Sequence, residues 1–309
     1  PMADAEDARI VARVCDALHA CLQHRTDPAD MYGAAAGAAA PWVPRVCRAA
    51  LTAGCSERSV RGELEFVPDA LLHANGWSWP AHHEDGNLAL SVGALRALRA
   101  VCARADAPHG GGARVLGAGE ADGVAGCLAL ALGFGEPVWN ARKQWCEQQW
   151  RAAGTGGAQA ALRFVLRESA LNALALSKHV KSPAAWAHRM WLWRRLATEA
   201  RLRPATLAEL LLGSERALCE RLAALRPKCY YAWCHRGAVL QLALHIASTH
   251  AGVSLDGDTL LAAQLADAWR RAHADPADCA CLHHCTFLHQ LQVARACQAC
   301  AQVPPGSEG

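Results

Sequence analysis

Three short segments put a tryptophan and an arginine one helical turn apart. They are Trp139-Asn140-Ala141-Arg142, Trp186-Ala187-His188-Arg189 and Trp233-Cys234-His235-Arg236. Residues three apart share a helix face, so each indole and guanidinium can act on the same neighbour. A guanidinium can grip a carboxylate or the carbonyls at a neighbouring helix end. A buried indole needs a partner for its N–H. This chemistry holds helices together, and structural glue is the plainer reading of Trp139, Arg142, Trp186, Arg189, Trp233 and Arg236; His188 and His235 complete the motif in the second and third segments. A second group, Cys279, Cys281, His283, His284 and Cys285 with Cys297 and Cys300 beyond, has the residue types of a zinc site. On one continuous helix, however, Cys279, Cys281 and Cys285 cannot all face one point. The loop cluster His82-His83-Glu84-Asp85 has no second ligand pair, and Gly117, Gly119 and Gly123 miss the dinucleotide-binding spacing by one and follow no strand. No metal site is assigned to the chain.

The elements that carry these residues read as helices. The chain has 309 residues, of which 52% are hydrophobic and 19% charged, which excludes global disorder. The net charge of +3 gives no reason to expect nucleic acid or a membrane surface as partner. No apolar stretch is long enough to span a bilayer, and the mixed acids and bases of residues 1–14 read as no signal peptide. Pro1 ahead of Met2 fits a fragment as well as an unprocessed chain. The 15 cysteines are odd in number and sit mostly in apolar helical patterns, which points to a reduced, cytoplasmic setting. Ala, Leu and Arg dominate and period-two β-branched runs are absent. Helices are expected at 3–23, 88–104, 121–132, 137–152, 158–178, 183–198, 205–225, 230–249, 258–273 and 279–300. Residues 26–87 read as irregular, with a short helix near 44–53. Three regions follow: a helical and loop-rich region over 1–119, repeats over 120–300 and a disordered tail over 301–309.

The three tryptophans are 47 residues apart, and a further 49 residues reaches Leu282. A fourth, decayed copy thus has Leu282 for Trp and Cys285 for Arg. Turn residues recur ahead of the motif helices at Gly135-Glu136-Pro137, Lys181-Ser182-Pro183 and Arg226-Pro227-Lys228, with Ser182 as helix cap and Pro183 at the first helical position. A single helical hairpin cannot bury its apolar face, so such hairpins stack and share a core. The fold class is all-α, with α-α hairpin repeats stacked in a superhelix.

The segments Lys181-Ser182-Pro183-Ala184-Ala185-Trp186-Ala187-His188-Arg189, Tyr230-Tyr231-Ala232-Trp233-Cys234-His235-Arg236 and Trp139-Asn140-Ala141-Arg142-Lys143 resemble the protein prenyltransferase alpha-subunit repeat. The resemblance implies a crescent-shaped superhelix that wraps a separate beta subunit. It implies that the beta subunit carries the catalytic zinc and the isoprenoid pocket, so the chain itself holds no cofactor and is inactive alone. It further implies transfer of an isoprenoid, most readily geranylgeranyl, from its diphosphate to a C-terminal Cys of an acceptor protein. The partner would be a protein prenyltransferase beta subunit, such as that of Rab geranylgeranyltransferase. In the family, a Lys five residues and a Tyr three residues before the motif Trp approach diphosphate or peptide. Those positions are Lys181, Lys228 and Tyr230 here, with Pro183 at the other Tyr position. The chain departs from the pattern at Ala141, which precedes Arg142 where His is usual, and at Gly237, where a bulkier residue is usual. A non-enzymatic helical-repeat adaptor is the alternative, favoured by the eroded fourth copy. In that case the lysines are solvated turn residues.

Overall fold

The computed structural model describes residues 2–23, 64–67, 81–84, 87–105, 126, 129, 133, 136–153, 157–199, 202–250 and 255–301. The expected helices near 44–53 and 121–132 and the tail beyond Ala301 lie wholly or largely outside these residues. The chain forms two compact units, Pro1–Arg201 and Leu202–Gly309.

In the first unit, α1 (Met2–Gln23) buries Ile10, Val11, Val14 and Leu18, the three- and four-residue stripe of an amphipathic helix. It packs on a small sheet of β1 (Leu64–Val67), β2 (Ala81–Glu84) and β3 (Asn87–Ser91), ordered β1-β3-β2. β1 runs parallel to β3 and β2 antiparallel to it, with Leu64 opposite Leu88 and Ala81 opposite Leu90. This sheet corrects the reading of 26–87 as irregular and of a helix from residue 88. Leu88, Ala89 and Leu90 are all at most 1% exposed. A strand buried on both faces is a short unbroken apolar run, which periodicity cannot tell from a buried helix. The helix α2 (Val92–Ala105) starts four residues later, where Ser91 Oγ accepts the Ala94 N–H at 2.8 Å.

Three helices carry the first two motifs: α3 (Glu136–Ala153), α4 (Gly157–Lys178) and α5 (Pro183–Glu199). α4 is buried almost all round from Val165 to Leu176, because α1, β1, α3 and α5 surround it. Ser177 Oγ at its end accepts the Leu64 N–H at 3.0 Å and ties the sheet to the repeat.

The second unit begins with α6 (Pro204–Leu210), continues through a π-helical turn (Leu211–Glu215) into α7 (Arg216–Leu225), and adds α8 (Tyr230–Thr249), α9 (Gly257–Ala274) and α10 (Cys279–Ala301). α8 is its core helix, packed on α6, α7, the π turn and α10. Gly237 lets α8 and α10 approach: a Cβ there would lie 2.8 Å from Phe287 Cε1. The missing bulk at 237 is thus filled from the fourth motif helix. Asp256 caps α9 by accepting the Asp258 and Thr259 N–H groups.

Candidate functional site

Each motif tryptophan is buried at the start of its helix: Trp139 is 2% exposed, Trp186 4% and Trp233 3%. Trp139 Nε1 donates to the Gly133 carbonyl at 3.0 Å, and Trp186 Nε1 to the Val180 carbonyl at 2.8 Å. Both carbonyls lie six residues upstream, so each indole ties down the turn that leads into its own helix. Trp233 differs and reaches Asp278 Oδ2 at 3.4 Å. Its turn differs as well, because Lys228 takes φ 62°, a left-handed backbone that non-glycine residues rarely adopt. Asp278 also caps α10 through Oδ1, which accepts from Ala280 and Cys281. Ser182 occupies the same place ahead of α5 and accepts the Ala185 N–H at 3.3 Å.

The arginines and histidines close on acids. Arg142 holds both oxygens of Glu168, Nε to Oε1 at 2.8 Å and Nη2 to Oε2 at 2.6 Å. His188 Nε2 lies 3.1 Å from Glu168 Oε1. Glu168 is therefore gripped from α3 on one side and α5 on the other, and its side chain is only 2% exposed. Burial alone would raise its pKa, but Arg142 and then His188 outweigh that and hold the carboxyl well below its ordinary range. Arg189 Nη1 donates to the Ser169 carbonyl at 2.8 Å and to Asn172 Oδ1 at 3.2 Å, and Asn172 Nδ2 returns a bond to the Ala185 carbonyl.

The second unit repeats this with a change. His235 Nε2 lies 2.9 Å from Glu215 Oε2, where the π turn ends. Glu168 and Glu215 each stand twenty residues before their histidine and 47 apart, the period of the tryptophans. The residue twenty before His284 is Gln264, not an acid. Arg236 Nη2 donates to Gln264 Oε1 at 2.6 Å and to Asp267 Oδ2 at 2.8 Å. Asp267 in turn pairs with Arg270 and Arg271, so the clasp spreads toward solvent.

His284 stands at the histidine position of the fourth copy, two residues after Leu282. Its ring lies 5.2 Å from that of Trp233, as His188 lies 5.1 Å from Trp139. The decayed copy has thus kept the imidazole that covers the preceding tryptophan. With Gln at 264, His284 Nε2 is buried without a hydrogen-bond partner. Burial, then Arg236, pushes its pKa down to about 3, so it is neutral.

The cysteine and histidine types near the end of the chain split between faces. Cys279 and His283 are exposed, while Cys281, His284 and Cys285 are buried. Burial pushes the Cys281 thiol up to about 12 and raises that of Cys285, so neither is a ready thiolate. Among the described residues, Cys146, Glu168 and His188 bring their ligand atoms within 4.8 Å of one another. There the Arg142 guanidinium already supplies the positive charge that a cation would, on both carboxylate oxygens. The cluster is an ion-pair clasp.

The residues singled out for substrate contact are at the surface. Lys181 is exposed in the turn before α5, and Lys228 in the turn before α8. Tyr230 is 48% exposed, with its ring 6.1 Å from Tyr231 and 5.2 Å from His283. A hydrogen bond with Cys234, first among its neighbours, raises the pKa of its phenol, so Tyr230 keeps its proton. Pro183, at the other Tyr position, is the first residue of α5. The acids Glu168, Glu215 and Asp278 and the amides Asn172 and Gln264 escaped the sequence reading. Extending the 47-residue period from tryptophan to acidic residues would have found Glu168 and Glu215.

Comparison with known proteins matches these two acid-to-motif segments. The family described as Protein prenyltransferase alpha subunit repeat matches residues 165–196 and 212–243, each from just before its glutamate through its Trp-x-His-Arg helix. Protein prenyltransferase alpha subunit repeat-containing protein 1 of Homo sapiens is 33% identical over 102 residues, covering 29% of this chain and 25% of that protein. The protein of the same name from Danio rerio is 37% identical over 83 residues, covering 23% and 20%. The matched segment spans a quarter or less of either relative's length.

Proposed function

We propose that this chain, which carries two protein prenyltransferase alpha subunit repeats, is the alpha-type subunit of a protein prenyltransferase and works only with a separate beta subunit. The observation that carries the reading is the coincidence of the family's repeats with Lys181, Lys228 and Tyr230, all exposed at the starts of motif helices. The buried clasps of Glu168 and Glu215 fix the helices that present them. The reaction forms a thioether between an acceptor cysteine and an isoprenoid, of which geranylgeranyl is our choice, with diphosphate as leaving group. The zinc that activates the thiol belongs to the beta subunit, for which that of Rab geranylgeranyltransferase is one candidate. In this reading the Lys181 and Lys228 ammonium groups face the departing diphosphate and lower the cost of its growing charge. The Tyr230 phenol, which stays protonated, donates a hydrogen bond to diphosphate or acceptor peptide. The reading places the complex in the cytoplasm; among the described residues no helix is long and apolar enough to cross a membrane.

One observation favours a second reading, a non-enzymatic adaptor. The fourth copy has lost Trp and Arg, and Gln264 has replaced the acid that would serve His284. Co-purification with candidate beta subunits separates the two. The subunit reading expects a stable one-to-one complex with at least one of them. Failure to bind any zinc-bearing beta subunit would leave the adaptor.

A further inference from the structure

The chain's positive charge is unevenly placed. Helices α3, α4 and α5 hold nine Lys and Arg against four Asp and Glu, while the rest of the chain holds twenty-two against twenty-four. Within these helices, Arg151, Arg163, Arg194 and Arg195 stand toward the end where α3 finishes, α4 begins and α5 finishes. Trp150 of α3 meets Phe164 of α4 at 6.1 Å, and Arg195 of α5 lies 5.4 Å above Trp150, which fixes that common end. Arg151, Arg163 and Arg194 adjoin these contacts in sequence. All three are exposed, and none forms an ion pair with another described residue. Two acids stand nearby: Glu147, held by Arg195 at 3.8 Å, and Glu199, the last residue of α5. Arg167, at the middle of α4, bonds His19. The N-terminus of the 22-residue helix α4 opens here too and adds its partial positive charge. This end lies away from the Lys181 turn, which joins the opposite ends of α4 and α5.

We propose that this end of the first unit is a docking surface for an acidic protein segment, one with clustered Asp and Glu side chains. Charge complementarity carries the proposal, and the aromatic residues decide between protein and nucleic acid. Single-stranded nucleic acid binds such patches by stacking bases on open ring faces. Here the rings are taken: Lys143 Nζ lies 5.2 Å from the Trp191 centroid, and Arg195 covers both Trp191 at 5.6 Å and Trp150. Stacking instead orders the Arg195 guanidinium, which suits the planar, two-point grip of carboxylates. The site goes beyond the transferase reading and does not depend on it.

The test is fluorescence anisotropy of the full chain with a labelled glutamate decamer, and with a labelled oligothymidylate of equal charge, at low and moderate salt. The R151E/R163E/R194E variant should weaken decamer binding by at least about tenfold, since three favourable contacts become repulsive. The control R9E/R226E/R270E reverses three exposed arginines elsewhere and makes the same change in net charge; it should weaken binding by less than about twofold. Circular dichroism and thermal melts of both variants establish that each is folded. Equal losses from the two variants would show a general charge effect and overturn the proposal. Tighter binding of the oligothymidylate than of the decamer would overturn it in favour of nucleic acid.

Discussion

Replacing Glu168 with Gln removes one negative charge and almost no volume. In the native protein that carboxylate takes two bonds from Arg142, at 2.8 and 2.6 Å, and lies 3.1 Å from His188. The side chains of Arg142, Glu168 and His188 are 2–4% exposed, so water cannot replace the lost partner. Removing one member of a buried ion pair costs about 3–5 kcal/mol, because the other charge stays buried and uncompensated. E168Q should therefore lose about that much in urea unfolding at pH 7. Removing both members together is milder, so R142M/E168Q should be more stable than E168Q alone. The pH dependence has a fixed sign. The folded carboxyl has a lowered pKa, so its stabilisation is present above the unfolded value, taken as 4.5, and is lost as pH falls through the folded value. Wild type should thus lose stability faster than E168Q below about pH 4.5. A loss under about 1 kcal/mol for E168Q, or a double variant no better than the single, would refute the clasp as the joint between α3, α4 and α5.

Trp186→Ala should cost about 3–5 kcal/mol in the same unfolding measurement, through the cavity left by a side chain only 4% exposed. Gly237→Ala should cost about 1–3 kcal/mol by overpacking against Phe287, and the smaller ring space of F287L should recover part of it. His284, held neutral with a pKa near 3, should make wild type less stable as pH falls from about 6.5 toward 3, because the unfolded imidazole gains a proton first. H284F should flatten that slope in pH-resolved thermal melts. In a reconstituted complex, Lys181→Ala should slow turnover by the equivalent of about 1–3 kcal/mol and leave co-purification intact.

Much of the repeat was legible because its signals are local. Ser182 and Pro183 mark a helix start by their own chemistry, and the observed α5 begins at Pro183. Trp139, Trp186 and Trp233 stand out by rarity and equal spacing. The acids do not. Glu168 and Glu215 sit in ordinary polar stretches, Arg167-Glu168-Ser169 and Ser214-Glu215-Arg216, and read as surface residues. Only their partners, twenty or more residues away, bury them. The π turn at Leu211–Glu215, which sets Glu215 against His235, has no sequence mark beyond a tolerated Gly213. The strand Asn87–Ser91 was missed for a different reason: with both faces covered, its apolar residues follow neither period. His284 was read only as a metal-ligand type, not as the cover of Trp233, because its copy had lost the two residues that define the motif.

The central claim, that this chain is a prenyltransferase subunit and no catalyst alone, is tested by one product assay. The chain, a zinc-loaded beta subunit and the two together are each incubated with geranylgeranyl diphosphate and an acceptor protein ending in cysteine. Mass spectrometry then reads thioether formation on the acceptor. The account predicts product at a rate above that of the beta subunit alone only when both are present, and none from the chain by itself. Product from the metal-stripped chain alone, or no gain in rate on adding it to any beta subunit it binds, would contradict the account.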